Sequence, residues 1–303
     1  MHAAAALRSR DHTPVLILAF CLLWSSAFAA AKIALIYCPP LLLLAGRFLL
    51  AGTLILGACA LFGQLRRIPA REVAALALMG VLNNACYLGL SYVGMTTVSS
   101  GFTAVLISAN PLLTALAAGP LLGERLRPLK LAGLALGMAG VAMVVRSRLG
   151  GGAEDVTGTL FVLAALVTLA AATLLFKLVR TGAPLWMGSG IQSLAGGLAL
   201  APAALLTETV GAIQPSLPLA AAFLYLTLGA SVAGFSLWFF ILSRASATKA
   251  SALHFLMPPL GLLFGWLLLG ERVPPLDLLG IVPIALGIRL VTAGRAVRSG
   301  IVR

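Results

Sequence analysis

The sequence predicts an all-α integral membrane protein: ten transmembrane helices forming two five-helix repeats of inverted topology, with both termini in the cytoplasm. Three observations carry this expectation. The chain is 61% hydrophobic and only 10% charged, with a mean hydropathy of +1.07, whereas a water-soluble globule carries about 25% charged residues. Leu122-Gly123-Glu124-Arg125 returns 147 positions later as Leu269-Gly270-Glu271-Arg272, and the same displacement pairs Pro111 with Pro258, Gly133 with Gly280 and Gly140 with Gly287. The loop charges divide unevenly between the two faces that the spans create.

A helix needs about 20 apolar residues to cross a hydrocarbon layer of about 30 Å, and only helices or closed barrels satisfy every backbone group there. Long apolar runs, rather than short alternating strands, exclude an outer-membrane barrel. The first run, residues 14–36, follows Arg8 and Arg10 and ends in small residues, imitating a cleaved signal. Yet Ala19 to Lys32 aligns with Ala164 to Lys177 at an offset of 145, so it is read as span one. Span two, 39–63, opens on two prolines and carries Gly46-Arg47-Phe48. Span three, 72–92, carries Asn83, Asn84 and Tyr87, and span four, 97–121, is interrupted by Pro111. Span five, 128–146, begins at Pro128 and shows glycines at 133, 137 and 140. The linker-like stretch Gly150 to Asp155 then separates the copies. Spans six to ten follow at 158–178, 184–206, 218–241, 248–269 and 275–293, giving repeats over 14–147 and 157–294.

Five spans per copy send the second copy into the membrane from the opposite side. Cytoplasmic loops carry the excess of Lys and Arg. With the amino terminus inside, sixteen basic residues fall on the inner side and four on the outer side, with Arg47 inside span two. Matched loops differ accordingly: Arg66, Arg67 and Arg71 correspond to the stretch Thr207 to Pro218, which has no Lys or Arg. The net charge of +13 therefore serves orientation and anionic headgroups rather than nucleic acid, which would require a basic face with aromatic or polar readers. Cys21, Cys38, Cys59 and Cys86 form no CxxC pair and read as apolar packing residues, so neither metal nor cofactor is expected.

Two copies, each closing its fourth span on Leu-Gly-Glu with a proline four residues after the Glu, resemble the drug/metabolite transporter superfamily, in particular its ten-helix EamA-type members. Trp24-Ser25-Ser26-Ala27-Phe28 with Lys32, and Gly46-Arg47-Phe48, are similar to that family's first- and second-helix patterns. The resemblance implies a multi-pass carrier of the bacterial inner membrane. Its cargo would be amino acids, aromatic ones or a broad range, or related small metabolites, commonly exported.

Inverted repeats place a substrate near the midplane, and interrupted helices at matching positions point to it. Pro111 and Pro258 are such a pair, either framing a site or kinking helices for packing. Polar groups inside spans face the interior. This gives Trp24, Ser26, Asn84, Tyr87, Asn110, Tyr225, Trp238 and His254 as substrate-binding or gating candidates, with Asn83, Ser231 and Met257 beside them. Against this, any one Trp or Tyr reads more readily as an interfacial anchor or core packing, and His254 has a packing role as its alternative. Arg47, about 12 Å deep by helix rise, and its counterpart Gln192 read as structural polar groups or, for Arg47, as a carboxylate binder. All eight acids fall in loops or at span ends. The positions of the acids argue against an embedded carboxylate relay, leaving facilitated diffusion or coupling through His254, while Glu124 and Glu271 read as helix-end caps. Gly133 and Gly137 pack helices within a monomer or form a dimer face. The partners expected are a small-molecule substrate and membrane lipid. A membrane enzyme acting on a lipid or prenyl substrate is the competing reading, but it needs clustered acids or a His pair that the chain lacks. An ion channel would need a charged or carbonyl-lined filter.

Overall fold

The structure is a computed structural model, and it describes residues 13–123, 128–150, 152, 154–179, 181–244 and 257–292. Every regular element in it is helical. In chain order these are α1 (Thr13–Leu35), α2 (Pro40–Leu61), α3 (Ala70–Gly80), a π-helical segment (Val81–Tyr87), α4 (Leu88–Gly94), α5 (Ser100–Ile107), α6 (Asn110–Leu122), α7 (Pro128–Gly150), α8 (Val156–Leu178), α9 (Leu185–Thr207) and a short 3-10 turn (Val210–Ala212). Then come α10 (Leu217–Leu224), a second π-helical segment (Tyr225–Gly234), α11 (Phe235–Arg244), α12 (Met257–Leu269) and α13 (Pro275–Thr292). Eight continuous helical stretches are long and apolar enough to cross a membrane; α12 and α13 are shorter apolar helices.

Local chemistry sets the element ends. Prolines open α2, α7 and α13, where the missing N–H is not needed. Pro111 stands in the first turn of α6 and Pro258 in the first turn of α12, and both bounds of these helices differ by 147 residues. Each is followed by a left-handed glycine, Gly123 at φ 67° and Gly270 at φ 65°, a conformation a side chain would oppose. The fourth span is therefore broken at Ser108 and Ala109, with Ala109 carbonyl accepting from Leu112 and Leu113.

Packing joins the first half of the chain to the second throughout. α2 lies on α9, α7 on α13, α5 on α12, and α4 on α8, while α1 packs against α12 and the second π-helical segment. These pairs keep their pattern when each first-half span is exchanged for its second-half counterpart. Glycines permit the closest approaches: a Cβ at Gly287 would stand 2.5 Å from Gly133 oxygen and Gly137 nitrogen, and one at Gly140 would stand 2.8 Å from Gly280 oxygen. The small-residue face of α7 is thus filled by α13 of the same chain.

The carboxylates at the helix ends act as caps. Glu208 at the end of α9 accepts from Leu41 and Leu42 nitrogens at 2.9 and 2.7 Å, so α2 and α9 run antiparallel. Glu271 accepts from Ser100 and Gly101 nitrogens at 2.7 and 2.9 Å at the start of α5, and Asp155 caps α8. Anionic side chains stabilise helix starts in this way. Glu124 lies outside the described residues.

Candidate functional site

Arg47 organises the interior. It stands seven residues into α2 and is 3% exposed. Its Nε donates to Ser231 Oγ at 2.8 Å and its Nη1 to Tyr92 Oη at 2.6 Å, with Cζ 5.1 Å from the centroid of the Phe48 ring. Among the described residues no carboxylate pairs with it. A guanidinium has five N–H donors, and these two bonds leave donors for a further acceptor. The residue lines a cavity of about 20 Å³ with Trp24, Phe28, Tyr87, Leu88, Tyr92 and Ala230. The Tyr87 hydroxyl, fully buried on the same wall, has no hydrogen-bond partner among the described residues. Trp24 is held there by an edge contact with Phe235, ring centroids 5.0 Å apart.

Both π-helical segments border this interior, one from each half of the chain. A π turn widens the helix by one residue and re-aims the side chains that follow, and such turns are frequent at functional sites. The first carries Asn83, Asn84 and Tyr87, the second Ala230 and Ser231. The Arg47–Ser231 bond has a mate: Asn84 Nδ2 donates to Gln192 carbonyl oxygen at 3.1 Å. Arg47 pairs with Gln192 in the sequence, and Ser231 with Asn84, so the two bonds occupy exchangeable positions.

The structure divides the candidates of the sequence reading. Trp24, Tyr87 and Arg47 meet in one cavity. Gln192 and Trp238, with Asn83 and Thr173, line a second of about 10 Å³. Ser26 and Tyr225 are elsewhere: their hydroxyls bond at 2.6 Å beneath an outward-facing apolar groove of about 780 Å³ between α1, α10 and α12. Asn84 ties a π-helical segment to α9. Asn110 is fully buried, its oxygen accepting from Thr114 Oγ1 at 3.3 Å and its Nδ2 unpartnered among the described residues. It lines none of these spaces, and nor do Pro111 and Pro258. His254 lies outside the described residues. Sequence reasoning missed Tyr92, the last residue of the expected third span.

One end of the bundle carries a second polar assembly. Arg148, 4% exposed, bridges Asp277 and Glu154: its Nε reaches Asp277 Oδ2 at 2.7 Å and its Nη1 reaches Glu154 Oε1 at 2.7 Å. Glu154 also accepts from Ser99 nitrogen at 2.8 Å and from its hydroxyl. Lys32 Nζ donates to the carbonyls of Met95 and Val98 at the same end. These carboxylates are at span ends as the sequence suggested, yet Asp277 is wholly buried. No group of three or more His, Cys, Asp or Glu suited to a metal occurs among the described residues.

Comparison with known proteins fits this architecture. A solved crystal structure superposes with a TM-score of 0.69 at 22% identity, covering 94% of this chain and 98% of that one, which shows the shared fold. The chain is 28% identical over 293 residues to the uncharacterized inner membrane transporter YedA of Escherichia coli K12, covering 95% of this chain and 94% of that protein. It is 30% identical over 270 residues to a probable terminal-alkyne amino-acid exporter of Streptantibioticus cattleyicolor, covering 85% of each. It is also 30% identical over 283 residues to an S-adenosylmethionine/S-adenosylhomocysteine transporter of Chlamydia trachomatis, covering 89% of this chain and 85% of that protein. These relatives are transporters rather than enzymes, and the apolar helices suit a multi-pass protein of the bacterial inner membrane. The model of the EamA-like transporter family matches twice, over residues 13–146 and 156–293, and with both halves of the fold accounted for, the chain belongs to that family.

Proposed function

We propose that the protein carries small metabolites bearing an α-amino-acid group across the inner membrane by alternating access, with Arg47 as the carboxylate anchor. The observation that carries this reading is a buried guanidinium with no acidic partner among the described residues, beside a cavity walled by Trp24, Tyr87 and Tyr92. An unpaired charge at membrane depth costs about 2.5–3.5 kcal/mol on insertion scales, and an anionic solute offsets that cost each time it binds. The relatives named above fit the same chemistry: an amino acid and S-adenosylmethionine both present an α-amino carboxylate. Ten spans in two inverted repeats, residues 14–147 and 157–294 with both termini cytoplasmic, would let the halves exchange roles as the site changes sides.

Reconstituted protein tests this. Saturable uptake and counterflow of labelled amino acids in proteoliposomes is the expected behaviour. Arg47→Gln should raise KM about tenfold or more, since a hydrogen bond to a charged group contributes roughly 1.5–3 kcal/mol, and Arg47→Lys should recover part of the loss. Transport by Arg47→Gln at wild-type KM would remove the anchor, and turnover of lipid or non-saturating current would remove the carrier.

A further inference from the structure

The cavity beside Gln192 is the repeat-related mate of the cavity beside Arg47. Ala27, Phe28 and Arg47 line one; Ala172, Thr173 and Gln192, each 145 positions later, line the other. Ala230 of the first corresponds in turn to Asn83 of the second, 147 positions earlier. Duplication alone would account for matching shapes, but the second cavity also keeps unspent polar chemistry. Gln192 and Asn83 are 4% and 7% exposed. Asn83 donates from Nδ2 to Asn84 Oδ1 at 3.3 Å. The Asn83 oxygen and the Gln192 side-chain amide have no partner among the described residues. Buried amides in an apolar bundle are ordinarily paired, because an unmade hydrogen bond costs about 1–3 kcal/mol.

The two cavities are offset along the bundle. Arg47 and Gln192 each stand seven residues from the start of their helices, and those helices are antiparallel. At 1.5 Å per residue each lies about 10 Å from opposite ends of a pair roughly 33 Å long, leaving about 12 Å between them along the axis. Aromatic rings span that interval. Trp24 of the first cavity is 5.3 Å from Phe20, and Phe20 stacks at 5.5 Å on Trp238 of the second.

We propose that the Asn83–Thr173–Gln192–Trp238 cavity is a second binding station for the same α-amino-acid solute, reached from the Arg47 station along the Trp24–Phe20–Trp238 wall. This rests on the carrier reading above. The amides supply N–H donors to a carboxylate and carbonyl oxygens to an ammonium, while the rings take the side chain. Being uncharged, this station binds the carboxylate more weakly than Arg47 does. At the volumes found each cavity has room for about one water, so a solute is accepted only as the lining helices part. The two stations therefore open in turn rather than together.

The test separates equilibrium binding from exchange. Tritiated L-phenylalanine, L-methionine and S-adenosylmethionine are the probes, with purified full-length protein in detergent for binding and in proteoliposomes for counterflow. Gln192→Leu and Thr173→Val keep volume and remove polarity from two different helices; the Gln192 backbone carbonyl that holds Asn84 is untouched. Both variants should slow counterflow five- to tenfold while the binding constant, set at Arg47, stays within twofold. Counterflow at the wild-type rate in both variants would overturn the second station and leave the Arg47 reading standing. Equal loss of binding and counterflow in protein that elutes as wild type would also overturn it, by showing a single site. Failure of the Arg47 reading itself shows separately, as wild-type binding by Arg47→Gln.

Discussion

Burial decides what individual residues can do. Cys38, in the turn between α1 and α2, is buried beside Glu208, and burial together with that carboxylate pushes its thiol up to about 11. Raising a thiol above its usual value favours the neutral form, so at pH 8 about 0.1% is thiolate, a hundredfold less than at the ordinary value of 9. Maleimide labelling of Cys38 should be nearly absent at pH 7 and climb about tenfold per pH unit toward 11; fast labelling at pH 7 would show an open turn. The packing role expected for the cysteines holds here. Arg47 was legible as an anomaly because a lone charge in an apolar run stands out in any sequence. Its partners were not, because Tyr92 and Ser231 lie 45 and 184 residues away, and no local rule links them. Arg148 reads in sequence as an outer loop charge, whereas α7 runs on to Gly150. Two carboxylates neutralise it there, which is what allows a guanidinium to be buried.

At the scale of elements, hydropathy located the described helix ends to within a few residues because length and apolarity follow directly from bilayer thickness, while the expected start of span nine, 248–256, lies outside the described residues. The prolines and left-handed glycines that bound α6 and α12 were legible for the same local reason. The π-helical segments were not: an apolar stripe at helical spacing looks the same whether one turn within it is widened by a residue. Helix contacts made through glycine carry a direct prediction. Gly287→Val places methyls where Gly133 and Gly137 backbone already stands, and overpacking costs about 1–3 kcal/mol or more. The thermal midpoint in detergent should fall by several degrees. Gly57→Ala is the control: nothing lies within 4 Å of its Cβ position, and alanine there should be neutral or stabilising by about 0.5–1 kcal/mol. Equal midpoints for the two variants would mean that α7 and α13 are not in contact.

Across the whole molecule, polar bridges at one end tie α2 to α9, α5 to the loop after α12, and α7 to α13 through Arg148. Removing one member of a buried pair strands the other at a cost of about 3–5 kcal/mol, while replacing both with apolar groups is often neutral. Arg148→Met alone, which strands both Asp277 and Glu154, should therefore lower the thermal midpoint more than Arg148→Met with Asp277→Leu, which strands only Glu154. In the carrier reading this end is a gate. The double variant should then open it more readily and raise labelling of a cysteine introduced at Ser99 by an impermeant reagent. An additive double variant with unchanged labelling would reduce the cluster to ordinary packing. The packing pattern, preserved when the halves are exchanged, was foreshadowed by the repeated Leu-Gly-Glu-Arg; the ion cluster was not, since its members come from three separated stretches.

In the carrier reading, Arg47, with no carboxylate partner among the described residues, also has an electrical consequence. A zwitterionic amino acid adds no net charge to its carrier, so in the carrier reading the loaded and empty proteins carry the same net charge. A transmembrane voltage does about 2.3 kcal/mol of work per elementary charge per 100 mV, and here that work is the same on the outward and return strokes. Net flux of a neutral amino acid should stay constant when a potassium diffusion potential is imposed on the vesicles, whereas a cationic solute on the same protein should be driven by it. In the carrier reading, the chemical gradient alone would then set the final distribution of the neutral cargo across the membrane.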